Sequence, residues 1–186
     1  DLVRASPKLV VEPPTRVVPY PDGRTGFYFV HLRYAANIDA VFAAEREARS
    51  KPIEERVTLD GQTVRLRHSL LDLGSAADLF DDDHRTLIRG FEANPLILEF
   101  EFPEARTLSS IGLDFWRFNL QLTVTIDPDG DGPAQTYTAI YRDLPVDPHV
   151  DFVLTGGPTS VRTLRIELLD LNGGDRAKIH VPGIQL

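Results

Sequence analysis

The chain contains no cysteine. That excludes disulfides, thiolate metal centres and cysteine nucleophiles, and it leaves the redox compartment open. Methionine is absent too, and the chain begins at Asp1, so we expect a piece of something longer. Long apolar runs are missing: none reaches the ~18–20 residues that cross a bilayer as a helix. Positive charge is scarce, with 20 Lys and Arg against 28 Asp and Glu and a formal net charge of −8. Nucleic acid and anionic membrane, which both call for a basic footprint, are therefore not expected as main partners. Catalytic signatures are lacking as well. The histidines, His31, His68, His84, His149 and His180, show no HxxxH or HExxH spacing, and there is no GxSxG elbow. Carboxylates are plentiful, but nothing in the sequence marks two of them as a desolvated acid–base pair. Gly156-Gly157-Pro158 and Gly173-Gly174 read as turns rather than phosphate cradles.

What is present is a globular composition, 42% hydrophobic and 26% charged over 186 residues. Two regions are expected. In residues 1–54, Pro7, Pro13, Pro14, Pro19 and Pro21 define an irregular strap closed by a Pro21-Asp22-Gly23 turn. A helix over 26–50 follows, with Phe27, Val30, Tyr34, Ile38 and Val41 at helical spacing. Phe27–Tyr34 also fits a strand, with Asn37 capping a shorter helix; the single helix is the preferred reading.

Residues 55–186 read as strands. Val57–Leu59 and Thr63–Leu66 flank Asp60-Gly61, a hairpin signal because both turn positions take positive φ. Leu96, Leu98, Phe100 and Phe102 alternate with Ile97, Glu99 and Glu101. Further alternating runs lie at 111–115, 120–126, 137–141, 150–154, 164–168 and 179–181. Simple antiparallel connectivity sends the loops Pro103–Arg106, Asp127–Pro133 and Thr155–Ser160 to one end. Ile88–Asn94, Trp116–Asn119, Arg142–Pro148 and Leu171–Arg176 go to the other. The second set carries Arg89, Phe91, Asn94, the single tryptophan Trp116, Arg117, Arg142 and Arg176, and clustered end loops on a rigid scaffold are where recognition residues sit.

The order of these features, Ala77-x-x-Phe80-Asp81-Asp82-Asp83-x-x-Thr86, then a loop, then the strand from Leu96, resembles the discoidin-like, or galactose-binding-domain-like, β-sandwiches (F5/8 type C relatives) over roughly residues 70–186. The resemblance implies an all-β, jelly-roll sandwich with an N-terminal strap and one helix. It also implies a non-catalytic carbohydrate-binding accessory module of a larger extracytoplasmic protein, periplasmic or at the cell surface. The partner would be a carbohydrate or cell-envelope glycan, and the parent a membrane-embedded bacterial glycosyltransferase or another envelope protein. The alternative is a structural or protein–protein module with no small ligand. The tip nominates Arg89, Asn94, Trp116, Arg117 and Asn119 for ligand binding: an aromatic platform beside paired donors.

No cofactor is required on this reading, but the resemblance implies a structural Ca²⁺ on Asp81, Asp83 and Thr86, a donor set of the kind calcium accepts. The sequence departs from that pattern in having Asp82 where glycine is usual and Gly183 where a glutamate ligand often stands. Both departures favour a plain aspartate-rich turn. Asp127-Pro128-Asp129-Gly130-Asp131-Gly132 copies the start of an EF-hand loop, but Thr138 takes the closing position, and a tight acidic hairpin is expected.

Overall fold

The computed structural model describes residues 5–116, 118–128 and 132–186. The chain divides into two compact units, Asp1–Ala48 and Arg49–Leu186.

The first unit is built on a β-ribbon. Strand β1 (Leu9–Val11) pairs with β4 (Leu32–Tyr34), and β2 (Arg16–Pro19) with β3 (Thr25–Phe29), both antiparallel. Backbone bonds from Glu12 to His31 and from Thr15 to Phe29 join the two pairings, and the Tyr20–Arg24 turn closes the tip. The proline-rich stretch is thus partly ladder rather than irregular strap. The helix, α1, is confined to Ile38–Ser50; Asn37 precedes it and accepts from the Val41 N–H. The helix expected over 26–50 is corrected accordingly. Phe27–Tyr34 fits both periods, and cross-strand hydrogen bonds to residues 8–18 decide for β. The alanine-rich remainder, with high helix propensity, stays helical.

The second unit is a β-sandwich. Its larger sheet comprises β5 (Ile53–Leu59), β6 (Gln62–His68), β9 (Leu96–Leu108), β11 (Leu120–Pro128), β12 (Gln135–Tyr141) and β14 (Thr159–Asp170). Their order is β12-β11-β14-β9-β6-β5. Two small sheets complete it. One contains β10 (Ser110–Asp114) between β13 (His149–Val153) and β16 (Gly183–Gln185). The other contains β8 (Ile88–Gly90) between β7 (Leu71–Leu73) and β15 (His180–Val181). β5 begins just ahead of the boundary expected at residue 55. The expected hairpin forms on Asp60 (φ 47°) and Gly61 (φ 79°).

Alternation does the packing. Leu98, Phe100, Leu113, Leu122, Val124, Leu164 and Ile166 are fully buried in one core, which also takes Ile88, Val181 and Ile184 from the small sheets and Phe115 from just beyond β10. Phe100 meets Phe80 edge-on and Phe102 in parallel. On the outer face Glu54, Arg67, Glu99, Arg165 and Glu167 pair across four strands.

The register fixes the two ends. Leu96 lies opposite Leu168, Leu120 opposite Asp170 and Tyr141, and Asp114 opposite His149 and Gly183. The segments 69–95, 115–119, 142–148 and 171–182 therefore leave from one end, as connectivity implied. Pro103–Arg106 is different: it lies inside β9 and is not a loop. Glu101 pairs with Thr163 and Arg106 with Val161, so Phe102–Ala105 face only Arg162 in a bulge. Pro103 is tolerated because a bulged strand needs no ladder N–H there.

Candidate functional site

The candidate surface is assembled around Trp116, the residue after Phe115 at the end of β10. Phe115 turns into the core and packs edge-on against Phe118. Trp116 must therefore point the other way, and its side chain is 46% exposed. Its ring lies flat on that of His180, with centroids 4.1 Å apart and planes within 11°. The Trp116 N–H also donates to the His180 carbonyl at 3.2 Å. The indole is thus held from beneath by ring and backbone, and its free face looks outward.

His180 pairs with Arg89 across β15 and β8. Burial pushes its pKa below the usual imidazole value, and the Arg89 charge pushes it further the same way. Arg89 Nε donates to Asp72 Oδ1 at 2.6 Å, and Lys178 Nζ reaches the other carboxylate oxygen at 2.9 Å. The Arg89 bond is the main cause holding the Asp72 carboxyl below its usual range, and Lys178 adds to it. Lys178 also lies over the Phe91 ring, 5.9 Å from its centroid. Two cations share one carboxylate, so the cluster keeps a net positive charge beside an aromatic platform. His180, Lys178 and Asp72 were not singled out for this surface from the sequence, because they come from loops and short strands far from Trp116 in the chain; Phe91 stands in the nominated 88–94 loop.

The other nominated residues separate by role. Asn94 is spent internally: its Nδ2 donates to the Asp170 and Gly174 carbonyls at 2.9 and 2.8 Å, and its Oδ1 accepts from the Asp170 N–H at 2.8 Å. It staples the 171–179 loop to the approach of β9 and has no amide donor left for a ligand. Asn119 accepts from the Leu171 N–H through its carbonyl at 2.9 Å and, at 3.4 Å, from the Asp143 N–H through its side chain. It too ties loops together. Arg117 lies outside the described residues, as do Asp129, Gly130 and Asp131 of the EF-hand-like stretch.

The Asp81–Thr86 turn closes on itself. Thr86 Oγ1 lies 2.8 Å from Asp81 Oδ2 and 2.7 Å from the Asp83 carbonyl, and the Asp83 N–H donates to Asp81 Oδ1 at 3.0 Å. The Asp83 carboxylate faces Arg85, which donates through Nε at 2.8 Å and Nη2 at 2.7 Å and holds the Asp83 pKa below the usual range. Asp82 adopts the left-handed conformation (φ 55°) without glycine, as aspartate can. At Gly183 the nearest acidic atom is Asp114 Oδ2, whose partner oxygen is bonded to His149 Nδ1 at 2.8 Å. The donor set does not fit a calcium ion as arranged, since an arginine neutralises Asp83 and the threonine proton has oxygen acceptors within the turn. Among the described residues no cluster of three or more acidic, histidine or cysteine side chains is arranged for a metal.

No protein-family profile matches the chain, and no curated protein matches it. Solved structures do. The family 32 carbohydrate-binding module of NanJ from C. perfringens, solved with galactose, superposes with a TM-score of 0.52 at 14% identity. The match covers 71% of this chain and 97% of that one. The family 32 module of AlyQ, solved with 4,5-unsaturated mannuronic acid, gives 0.51 at 11% identity, covering 70% and 95%. The chain folds as a galactose-binding-domain-like β-sandwich. In this sandwich the Trp116 surface stands at the end reached by loops 69–95, 115–119 and 171–182.

Proposed function

We propose that the sandwich is a non-catalytic carbohydrate-binding module that takes its ligand on the Trp116 surface. The observation that carries this reading is the exposed indole, braced flat against His180 beside the Arg89–Asp72–Lys178 cluster. An indole face accepts the C–H face of a pyranose, while guanidinium and ammonium groups donate to its hydroxyls or carboxylate. Both superposed modules are named for bound sugars, and this supports the class of ligand. Asn94 and Asn119 position the loops of this surface. The module serves a larger extracytoplasmic protein, periplasmic or at the cell surface, and its ligand is a cell-envelope or extracellular glycan.

A glycan array probed with the intact chain tests the reading. Neutral and uronate sugars should be represented, and hits should be lost in Trp116→Ala. An array without hits, or hits that Trp116→Ala leaves unchanged, would refute it.

A further inference from the structure

Asp72 lies deepest in the cluster beside the indole platform. Its side chain is 19% exposed, against 30% for Arg89 and 44% for Lys178. Both of its oxygens are taken: Oδ1 accepts from Arg89 Nε and Oδ2 from Lys178 Nζ. One carboxylate cannot neutralise two full charges. The cluster is left with a single positive charge, and its cations stand outside its acid.

The donors that remain have a definite geometry. Arg89 is held through Nε alone, and among the described residues its Nη1 and Nη2 groups meet no protein acceptor. Those two nitrogens carry the end-on pair of N–H donors that matches the two oxygens of a carboxylate. The Asp72 bond also fixes the guanidinium in place, so little side-chain freedom is lost when a second carboxylate arrives. Lys178 keeps N–H donors beyond the one given to Asp72, and the Phe91 ring lies under its Nζ. Glu92, in the same loop as Arg89, is itself paired with Arg49 at 2.7 Å.

Register joins this pair to the platform. Arg89 lies opposite His180 on β8 and β15, so their side chains share a face, and Trp116 stacks on His180. The local field agrees. Arg89 and Lys178 both lower the His180 pKa, and Asp72 is the one carboxylate that raises it. A neutral glycan laid here would strip water from two cations and return only neutral acceptors, whereas a carboxylate returns the opposite charge.

Taking the Trp116 surface as the sugar site, we infer that it selects glycans carrying a carboxylate, the uronate chains. Arg89 takes the carboxylate end-on through Nη1 and Nη2, and Lys178 supplies the second charge. The chain as a whole is −8, so the preference belongs to this cluster and not to the overall charge.

The test is calorimetric titration of the intact chain with oligogalacturonates, oligomannuronates and oligoglucuronates, each also as its methyl ester, and with neutral oligosaccharides. Esterification keeps the rings and hydroxyls and removes the charge. A free acid should bind at least about tenfold more tightly than its ester, and the ratio should shrink as salt is raised. Arg89→Gln should abolish the preference and Lys178→Gln should reduce it, with thermal melts showing both variants folded. Arg89→Lys, which keeps the charge without the fork, should retain only part of it. Trp116→Ala should weaken acid and ester alike. Equal affinity for acid and ester overturns the inference and leaves the sugar reading standing, as does a preference that Arg89→Gln leaves intact, or binding of neutral sugars alone. Binding of no acid, ester or neutral sugar overturns both readings. Should Arg89→Gln fail to fold, Lys178→Gln and the acid-to-ester ratio of the parent chain decide in its place.

Discussion

Trp116→Ala separates a binding platform from a cap on the core, and its two consequences can be sized. The side chain is 46% exposed, so about half of the roughly 200–250 Å² an indole offers is covered, in large part by His180. At about 25 cal/mol per Å², some 100–130 Å² of lost contact is worth at most ~3 kcal/mol. The unfolded chain already covers part of that surface, which brings the expected cost to about 1–2 kcal/mol. In a protein of this size that lowers Tm by about 2–8 °C and leaves a folded molecule. Binding should suffer in a different measure. An anchor of this kind contributes about 1–2 kcal/mol or more to the complex, a loss of roughly 5- to 30-fold in affinity. Calorimetric titration with the best array sugar reads the second effect, and a thermal melt reads the first. If Trp116→Ala unfolds the domain, or stays folded and binds as tightly as the parent, the platform reasoning fails. The structural-module alternative then takes its place.

Asn94→Ala should behave oppositely. Three hydrogen bonds to backbone are lost, for about 1–3 kcal/mol of stability, while affinity measured well below Tm stays within about twofold of the parent; a selective loss of affinity would return Asn94 to the ligand. Chelator should leave Tm unchanged, because Asp81, Asp83 and Thr86 satisfy one another and Arg85. A rise in Tm on adding calcium, abolished by Asp83→Ala, would show the turn opening around an ion. His149 lies between Asp114 at 2.8 Å and Asp151 at 3.3 Å, and its pKa is raised, chiefly by the Asp114 bond. A raised folded value means its contribution is complete below the unfolded pKa of about 6.5 and is lost as pH rises through the folded value. His180, whose folded pKa is lowered, contributes with the opposite sign, fully above about pH 6.5 and less as pH falls. The Tm difference between the parent and His149→Gln should therefore be largest on the acid side of neutrality and shrink as pH rises; a difference independent of pH would refute the assignment.

The inner faces of the sandwich were legible in the sequence. Alternation is a local property, and each run from Leu96 onward carries its own inner face, so Leu98, Phe100, Leu122 and Ile166 could be assigned to the core before any pairing was known. The Asp60-Gly61 turn is equally local, because two adjacent residues set its hand. Strand alternation also carried Trp116 to the same end as the 88–94 loop.

Tertiary structure decided the rest. Phe27–Tyr34 fits a helix and a strand alike, and only the partner strands, reached through the turn at Tyr20–Arg24, chose between them. The short strands β7, β8 and β16 offer too few residues for a period to show. They exist because each borders a strand that supplies its hydrogen bonds. Asn94 and Arg89 looked equivalent as polar residues on one loop. One became a staple because Asp170 and Gly174 arrive beside it, and the other joined the platform because Asp72 and His180 do. Those contacts span 76, 80 and 17 residues where hydrogen bonds define them. No local pattern encodes separations of that kind; chain closure around the core brings the partners together.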